Sequence, residues 1–308
     1  MHKILLTTKR NDILDCCYYG SVFLANKNAI YKSFGCNCDS ITFMRSLAKP
    51  LQASIMADCD IVRDFKLSKK EIAIFCASHS GSPSHVKLLE RLVKRFNIKK
   101  SDILLQAQYP LDMRNFKGRK TKLQNNCSAK HIMMILMSKY LGFDIKDYLN
   151  PNGSLQKLIQ KKQFELSGFN SDILTYDGCA APLWGLSYKN IIDSYFNLFH
   201  TKKYDFIFDS ILKNPYLFGG FDRLDTEIIT LSNKKLFSKV GAGGFVIVYN
   251  FEKDEILLLK LAQNNNDIRK YILFDILNKL SWLKVDAKKY DFNQHNQKVA
   301  KYCYEFNL

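Results

Sequence analysis

The sequence predicts an α+β fold in which strands from the two ends of the chain share one mixed sheet. Three observations predict it. Strand-like segments lie near both termini. Helical periodicity fills the middle, about residues 84–230. No strand–helix alternation of the kind that winds a parallel sheet runs through the chain. We find no internal repeat and no low-complexity linker in the 308 residues, so the expectation is one domain over 1–308.

The elements follow in order. Residues 20–35, "GSVFLANKNAIYKSFG", read as two strands about an Asn-rich turn. A helix opens at Ser46 and runs through "KPLQASIMADCD". Residues 68–97 combine a capped start, a buried run, a Gly/Ser/Pro loop and an amphipathic helix. In that helix Leu88, Leu89, Leu92, Val93 and Phe96 keep the helical spacing. Residues 125–142 form a helix that stops at Gly142, and 154–168 another that stops at Gly168. Residues 186–200 and 205–215 read as two more helices. Residues 235–263 read as a β-hairpin with its turn at Glu252–Glu255. A helix over 267–283 and a strand over 297–306 complete the chain.

Composition bounds the function. Hydrophobic residues make up 47% of the chain, enough for a sizeable core. No apolar run is long enough to span a bilayer, and the start, "MHKILLTTKRND", lacks an apolar core and a small-residue cleavage site. The expectation is a cytoplasmic protein without a membrane role. The net charge of +17 invites a nucleic-acid reading, but the lysines are scattered and form no basic arm. The nine cysteines are odd in number and irregularly spaced, which argues for reduced thiols in apolar, strand-like surroundings.

Four clusters carry chemistry. In "RSLAKP", Ser46 and Lys49 stand three residues apart on a predicted helix, so hydroxyl and amine share a face. A serine needs a base to become a nucleophile, and a neutral lysine can serve. The plain alternative is an N-cap serine beside a solvated lysine. The loop "CASHSGSP" offers Ser78, His79 and Ser80, or else a helix-capping turn. Cys127 and Lys130 in "NNCSAKH", with Cys179 beside Asp177 in "YDGCAAP", can hold zinc with one place open, or form a helix cap and two buried thiols. Finally, Lys239-Val240-Gly241 stands at a strand edge, where the glycines let backbone approach a ligand closely, and Lys260 sits inside an apolar run where an ammonium is costly.

Together these clusters make the chain resemble the L-asparaginase II family, the thermolabile Rhizobium-type asparaginases. The matching segments are "MRSLAKPLQA", "CASHSGSPSHV", "NNCSAKH", "YDGCAAPLWGL", "NPYLFGGFDRLDTEII", "KLFSKVGAGG" and "ILLLKLAQ", in family order across roughly residues 10–300. The resemblance implies a serine β-lactamase, penicillin-binding-protein and glutaminase-like αβα fold, with a mixed, largely antiparallel sheet flanked by helices. It implies an amidohydrolase that converts L-asparagine to L-aspartate and ammonia, with two Ser–Lys pairs, Ser46 with Lys49 and Ser78 with Lys260. It also implies a zinc site at Cys127, Lys130 and Cys179, substrate contacts at Asp177, His131, Arg45 and Gly241, and a homodimer. A related acyl-serine enzyme such as a glutaminase, or a diverged non-catalytic basic binding protein, are the alternatives. The chain departs from the family pattern at Ser82 and Gly243, where the family has Glu, and at Ala129, where it has Gly. Ala262-Gln263-Asn264 and the stretch Asp15–Gly20 also depart from it. These departures bear on substrate choice.

Overall fold

The computed structural model describes residues 1–114 and 116–306. The chain divides into two compact units, Met1–Ser40 with Leu231–Leu308, and Ile41–Thr230.

The first unit is a sheet. Its strands are β1 (Lys3–Arg10), β2 (Ile13–Asn26) and β3 (Ile30–Phe34). The short pairs β4 (Ile41–Thr42) with β7 (Leu186–Ser187), and β5 (Leu174–Tyr176) with β6 (Pro182–Trp184), belong to the second unit. The sheet continues with β8 (Leu236–Gly241), β9 (Phe245–Asn250), β10 (Glu255–Leu261), β11 (Tyr290–Phe292) and β12 (Lys298–Tyr304). The order is β11-β12-β1-β2-β10-β9-β8, with β3 also on β2. Every strand pair among the described residues is antiparallel. N- and C-terminal strands thus meet directly, with Thr7 opposite Cys303.

Two expectations change. The segment over 235–263 is two hairpins, not one. The expected turn before Glu255 joins β9 to β10, and a second turn at Ala242–Gly244 separates β8 from β9. Gly243 and Gly244 have φ of 71° and 82°, left-handed values that glycine adopts without steric cost, so the reversal needs no polar spacer. The cysteines are the other change. Cys16, Cys17 and Cys303 lie in strands, but Cys76 and Cys127 bound helices instead. All nine are free thiols.

The second unit is mainly helical. It holds α1 (Ala48–Ala53), α2 (Ile61–Asp64), α3 (Lys69–Phe75), α4 (Pro83–Arg95), α5 (Ser128–Leu141), α6 (Ser154–Ser167), α7 (Tyr188–His200), α8 (Asp205–Lys213), α9 (Pro215–Phe218) and α10 (Leu224–Leu231). The helix α11 (Asn266–Lys279) belongs to the sheet unit, where Arg269 donates to the carbonyls of Gly241 and Phe245. The buried run before the serine loop is α3, opened by a capping box between Ser68 and Glu71. Helix α5 is buried along nearly its whole length, from Ser128 to Ser138. It ends at Gly142 with φ of 71°, as the sequence predicts. Among the described residues no helix is long and apolar enough to cross a membrane.

Candidate active site

Ser46 lies in a 3₁₀ turn, Arg45–Leu47, that runs straight into α1. The turn is pinned from outside: the Tyr195 hydroxyl on α7 donates to the Leu47 carbonyl at 2.8 Å. Arg45 has φ of 52°, an uncommon value for a residue with a side chain. Its guanidinium Nε donates to Asp177 Oδ1 at 2.7 Å. Ser46 is buried, and Lys49 is almost wholly so.

Lys49 Nζ reaches three acceptors: the Ala77 carbonyl at 2.7 Å, Ser78 Oγ at 3.0 Å and the Asn126 carbonyl at 3.1 Å. Carbonyls only accept, so two of these contacts require N–H donors. The third partner is a hydroxyl, which donates or accepts. An ammonium fills all three contacts. A neutral amine also fills them, if the Ser78 O–H points at its lone pair. Lys49 is therefore joined to Ser78, 29 residues away, and among the described residues no hydrogen bond joins it to Ser46. Sequence spacing pointed to Ser46 alone, because a contact between separate segments leaves no periodic trace.

The Ser78 loop is tied down through His79. The Gly81 N–H donates to His79 Nδ1, so Nε2 carries the hydrogen and donates to Ser128 Oγ at 3.0 Å. Ser128 in turn donates to the Leu123 carbonyl at 2.9 Å. Burial, with His85 and Lys49 nearby, holds His79 well below the ordinary imidazole range, so it is neutral. The sequence offered His79 as a candidate beside Ser78 and Ser80, and its hydrogen bonds make it the pin of the loop.

Beside Ser128, the first turn of α5 presents Cys127 and Lys130. Lys130 Nζ donates to Cys179 Sγ at 3.0 Å. The donor atoms of Cys127, Asp177 and Cys179 lie within 4.8 Å of one another. Cys127 is held well below the usual thiol range by its hydrogen bond with Cys179, against burial, with help from Lys49 and Lys130. The same hydrogen bond and burial push Cys179 up. Burial would lower Lys130, but Cys179, Cys127 and Asp177 outweigh it and raise the ammonium above its ordinary value. The pocket is thus an anionic nest of sulfur and carboxylate that a cation now neutralises. Two sulfurs and one carboxylate oxygen at this spacing are donors that zinc takes, and the Lys130 amine becomes a fourth only on losing its proton. A divalent ion would replace the charge that Lys130 carries.

The remaining expected residues fall as follows. Asp177 Oδ1 also accepts from the Gly178 N–H at 2.9 Å. Burial works to raise Asp177, but Lys130 and Arg45 together keep it below its ordinary value. His131 is fully buried. The Leu104 N–H donates to the Tyr148 hydroxyl, which shares a 2.7 Å hydrogen bond with His131 Nδ1. Burial lowers its pKa and Cys179 works against that. A cavity of about 430 Å³ lined by Gln106, Gln108, Asn125 and Gly178 opens onto Cys179. In the sheet unit, Lys239 and Gly241 lie on the end strand β8, as their motif predicts. Lys260 on β10 donates to the carbonyls of Gly243 and Leu261 at 2.5 and 2.6 Å.

No curated protein matches the chain. Among solved structures it is similar to a putative β-lactamase from Bacteroides dorei, at 10% identity and TM-score 0.47, covering 84% of this chain and 93% of that one. It is also similar to a β-lactamase from Mycobacterium bovis, at 10% identity and TM-score 0.38, covering 86% and 95%. The sequence matches the family described as L-asparaginase II over residues 6–303. A match across nearly the whole length places this chain in the L-asparaginase II family.

Proposed function

We propose that the protein hydrolyses the side-chain amide of L-asparagine to L-aspartate and ammonia through a serine–lysine site. The observation that carries this reading is the buried Lys49 amine, 3.0 Å from Ser78 Oγ and fixed by two carbonyls. An amine so fixed is positioned to move a proton to or from a hydroxyl. Ser46 attacks the amide carbon and Lys49 takes its proton. The amide C–N bond breaks as the leaving nitrogen gains a proton from Ser78, and the Lys49 ammonium returns its proton to Ser78 across their 3.0 Å contact. Water then cleaves the acyl-serine ester. The backbone N–H of Ser46 meets the oxyanion, a contribution of about 3 kcal/mol for one such donor. Asp177 holds the substrate's ammonium with its second oxygen, while Arg45 fixes the first. His131 supports Cys179 from behind.

Cys127, Lys130 and Cys179 would hold zinc. When bound, it would supply a fixed positive charge for orienting substrate. The enzyme works in the cytoplasm as a homodimer on a small amide, with no nucleic acid or membrane partner.

The 3.0 Å contact also favours a second reading, in which Ser78 is the attacking hydroxyl and Ser46 the relay. Ammonia release from asparagine and glutamine by wild type, Ser46→Ala, Ser78→Ala and Lys49→Met tests both. Lys49→Met should lose at least about a thousandfold in turnover. Near-normal activity in that variant sinks the serine–lysine mechanism. Mass spectrometry of the enzyme quenched during turnover locates the acyl group on the peptide of Ser46 or of Ser78 and decides between them. Faster release from glutamine would reassign the substrate.

A further inference from the structure

A second cavity, of about 550 Å³, lies in the helical unit and takes no part in the chemistry above. Its size suits a small molecule. Its apolar walls are Pro83 and Val86 at the start of α4, with Pro110, Phe116 and Tyr216. Tyr216 stacks on His85, with ring centres 5.3 Å apart and planes 17° apart, and is still 37% exposed. The cavity is preformed. Gly81 has φ of 70°, and a Cβ there would come within 2.5 Å of the Gln124 carbonyl, so glycine lets the serine loop lie flush against Gln124. Thr121 and Gln108 pair through their backbones at 3.1 and 3.2 Å, which folds the segment between them back toward Gln124.

Two donors of this lining are unanswered. Gln124 is 7% exposed, and its Oε1 accepts from the Thr121 N–H at 2.7 Å. A backbone N–H needs an acceptor, so this contact fixes which end of the amide is oxygen. The Nε2 end has no hydrogen-bond partner among the described residues, and it keeps accessible surface in a side chain that lines the cavity. An amide N–H so placed calls for an acceptor. Lys117, also in the lining, is exposed and has no ion pair or hydrogen bond among the described residues. The carboxylate of the wall is spent. Asp112 accepts from Arg114 Nε and Nη2, both at 2.8 Å, and Arg114 lies over the Phe221 ring at 3.4 Å. That pair is neutral, so the Lys117 ammonium sets the sign of the cavity.

We propose that this cavity binds a small aromatic carboxylate, with its ring against Tyr216 and Phe116 and its carboxylate on the Gln124 amide and the Lys117 ammonium. Two rings and two prolines favour a flat apolar body. An amide N–H and an ammonium both require an acceptor, and the net positive charge selects an anion. The site stands apart from the hydrolytic reading, and its test involves no turnover.

The probe is 4-azidobenzoate, which attaches to neighbouring side chains under ultraviolet light, and the readout is peptide mass spectrometry of the full-length protein. Label should fall on the peptides that hold Phe116 and Tyr216. Benzoate should compete, cutting that label about tenfold at ten times its dissociation constant, while neutral benzamide should need at least tenfold more. Gln124→Glu keeps the acceptor for Thr121 but turns the free donor end into an anion, so it should take at least fivefold less label. Lys117→Glu reverses a charge at an exposed position, where the fold is not at stake, and should lose label to a similar degree. Label found only on the peptide of Asp177 and Cys179 overturns the proposal, since the probe then occupies the candidate active site. So does label on the Phe116 and Tyr216 peptides that benzoate cannot displace, or that benzamide displaces equally well. Unchanged labelling of Lys117→Glu also overturns it, whether or not Gln124→Glu folds.

Discussion

Single residues show where spacing in a sequence becomes chemistry in space. Ser46-x-x-Lys49 was legible because helical periodicity puts i and i+3 on one face. The partner Lys49 takes, Ser78, was not legible as such, since their contact depends on how two segments pack. Departures from the family pattern also acquire reasons. At Ser82 the hydroxyl meets His85 Nδ1 at 2.6 Å and accepts from the Tyr216 hydroxyl at 3.1 Å. His85 Nε2 donates to the Tyr216 carbonyl at 3.0 Å, so Nδ1 is the acceptor and the ring is neutral. Burial lowers His85 from 6.5 to about 4. The unfolded chain therefore binds one more proton than the folded chain between these values. Stability is whole above pH 6.5 and falls as pH drops toward 4, by up to about 3 kcal/mol from this group. His79, lowered in the same direction, adds to the slope. Urea midpoints measured from pH 7.5 to 4.5 should fall steadily in wild type and less steeply in His85→Asn. Equal slopes in the two proteins would remove His85 as a cause.

At the scale of elements, helices with explicit stop and start signals were the most legible. Gly142 and Gly168 end α5 and α6 with φ of 71° and 65°, where a left-handed residue is needed. Strands were less so. β1 reads as a mixed run, "KILLTTKR", because its pairing with both β2 and β12 is set by residues at opposite ends of the chain. The β8–β9 turn was hidden because its glycines also read as a ligand-approach loop. Caps carry a measurable energy here. Ser68 accepts from the Glu71 N–H, and Glu71 accepts from the Ser68 N–H at 2.7 Å and from Arg95 at 3.1 Å. Glu71 thus links the start of α3 to the last turn of α4. Ser68→Ala should lower unfolding stability by about 1 kcal/mol, the usual worth of an N-cap hydroxyl. Chemical denaturation reads this directly, and a change within error would mean Glu71 alone holds the helix start.

Across the whole molecule, the expected zinc ligands all fall in one compact unit, Ile41–Thr230. Cys127 and Lys130 begin α5, while Asp177 and Cys179 lie in the loop between β5 and β6. That loop is held to α5 by the Lys130–Cys179 hydrogen bond and to the Ser46 turn by the Arg45–Asp177 ion pair. A bound ion would tie α5 and this loop through shared ligands, and a ligand that binds only the folded state stabilises it in proportion to its occupancy. Zinc at about a hundred times its dissociation constant should add about 2.7 kcal/mol and raise the melting temperature, and a chelator should reverse both. Cys179→Ser removes one sulfur and the acceptor of Lys130, so it should bind less than one zinc per chain and lose the shift. Metal content by mass spectrometry and melting curves with and without zinc are the measurements. A full equivalent of zinc retained in Cys179→Ser, or identical melting of wild type with zinc and with chelator, would leave Lys130 as the cation this nest was built around.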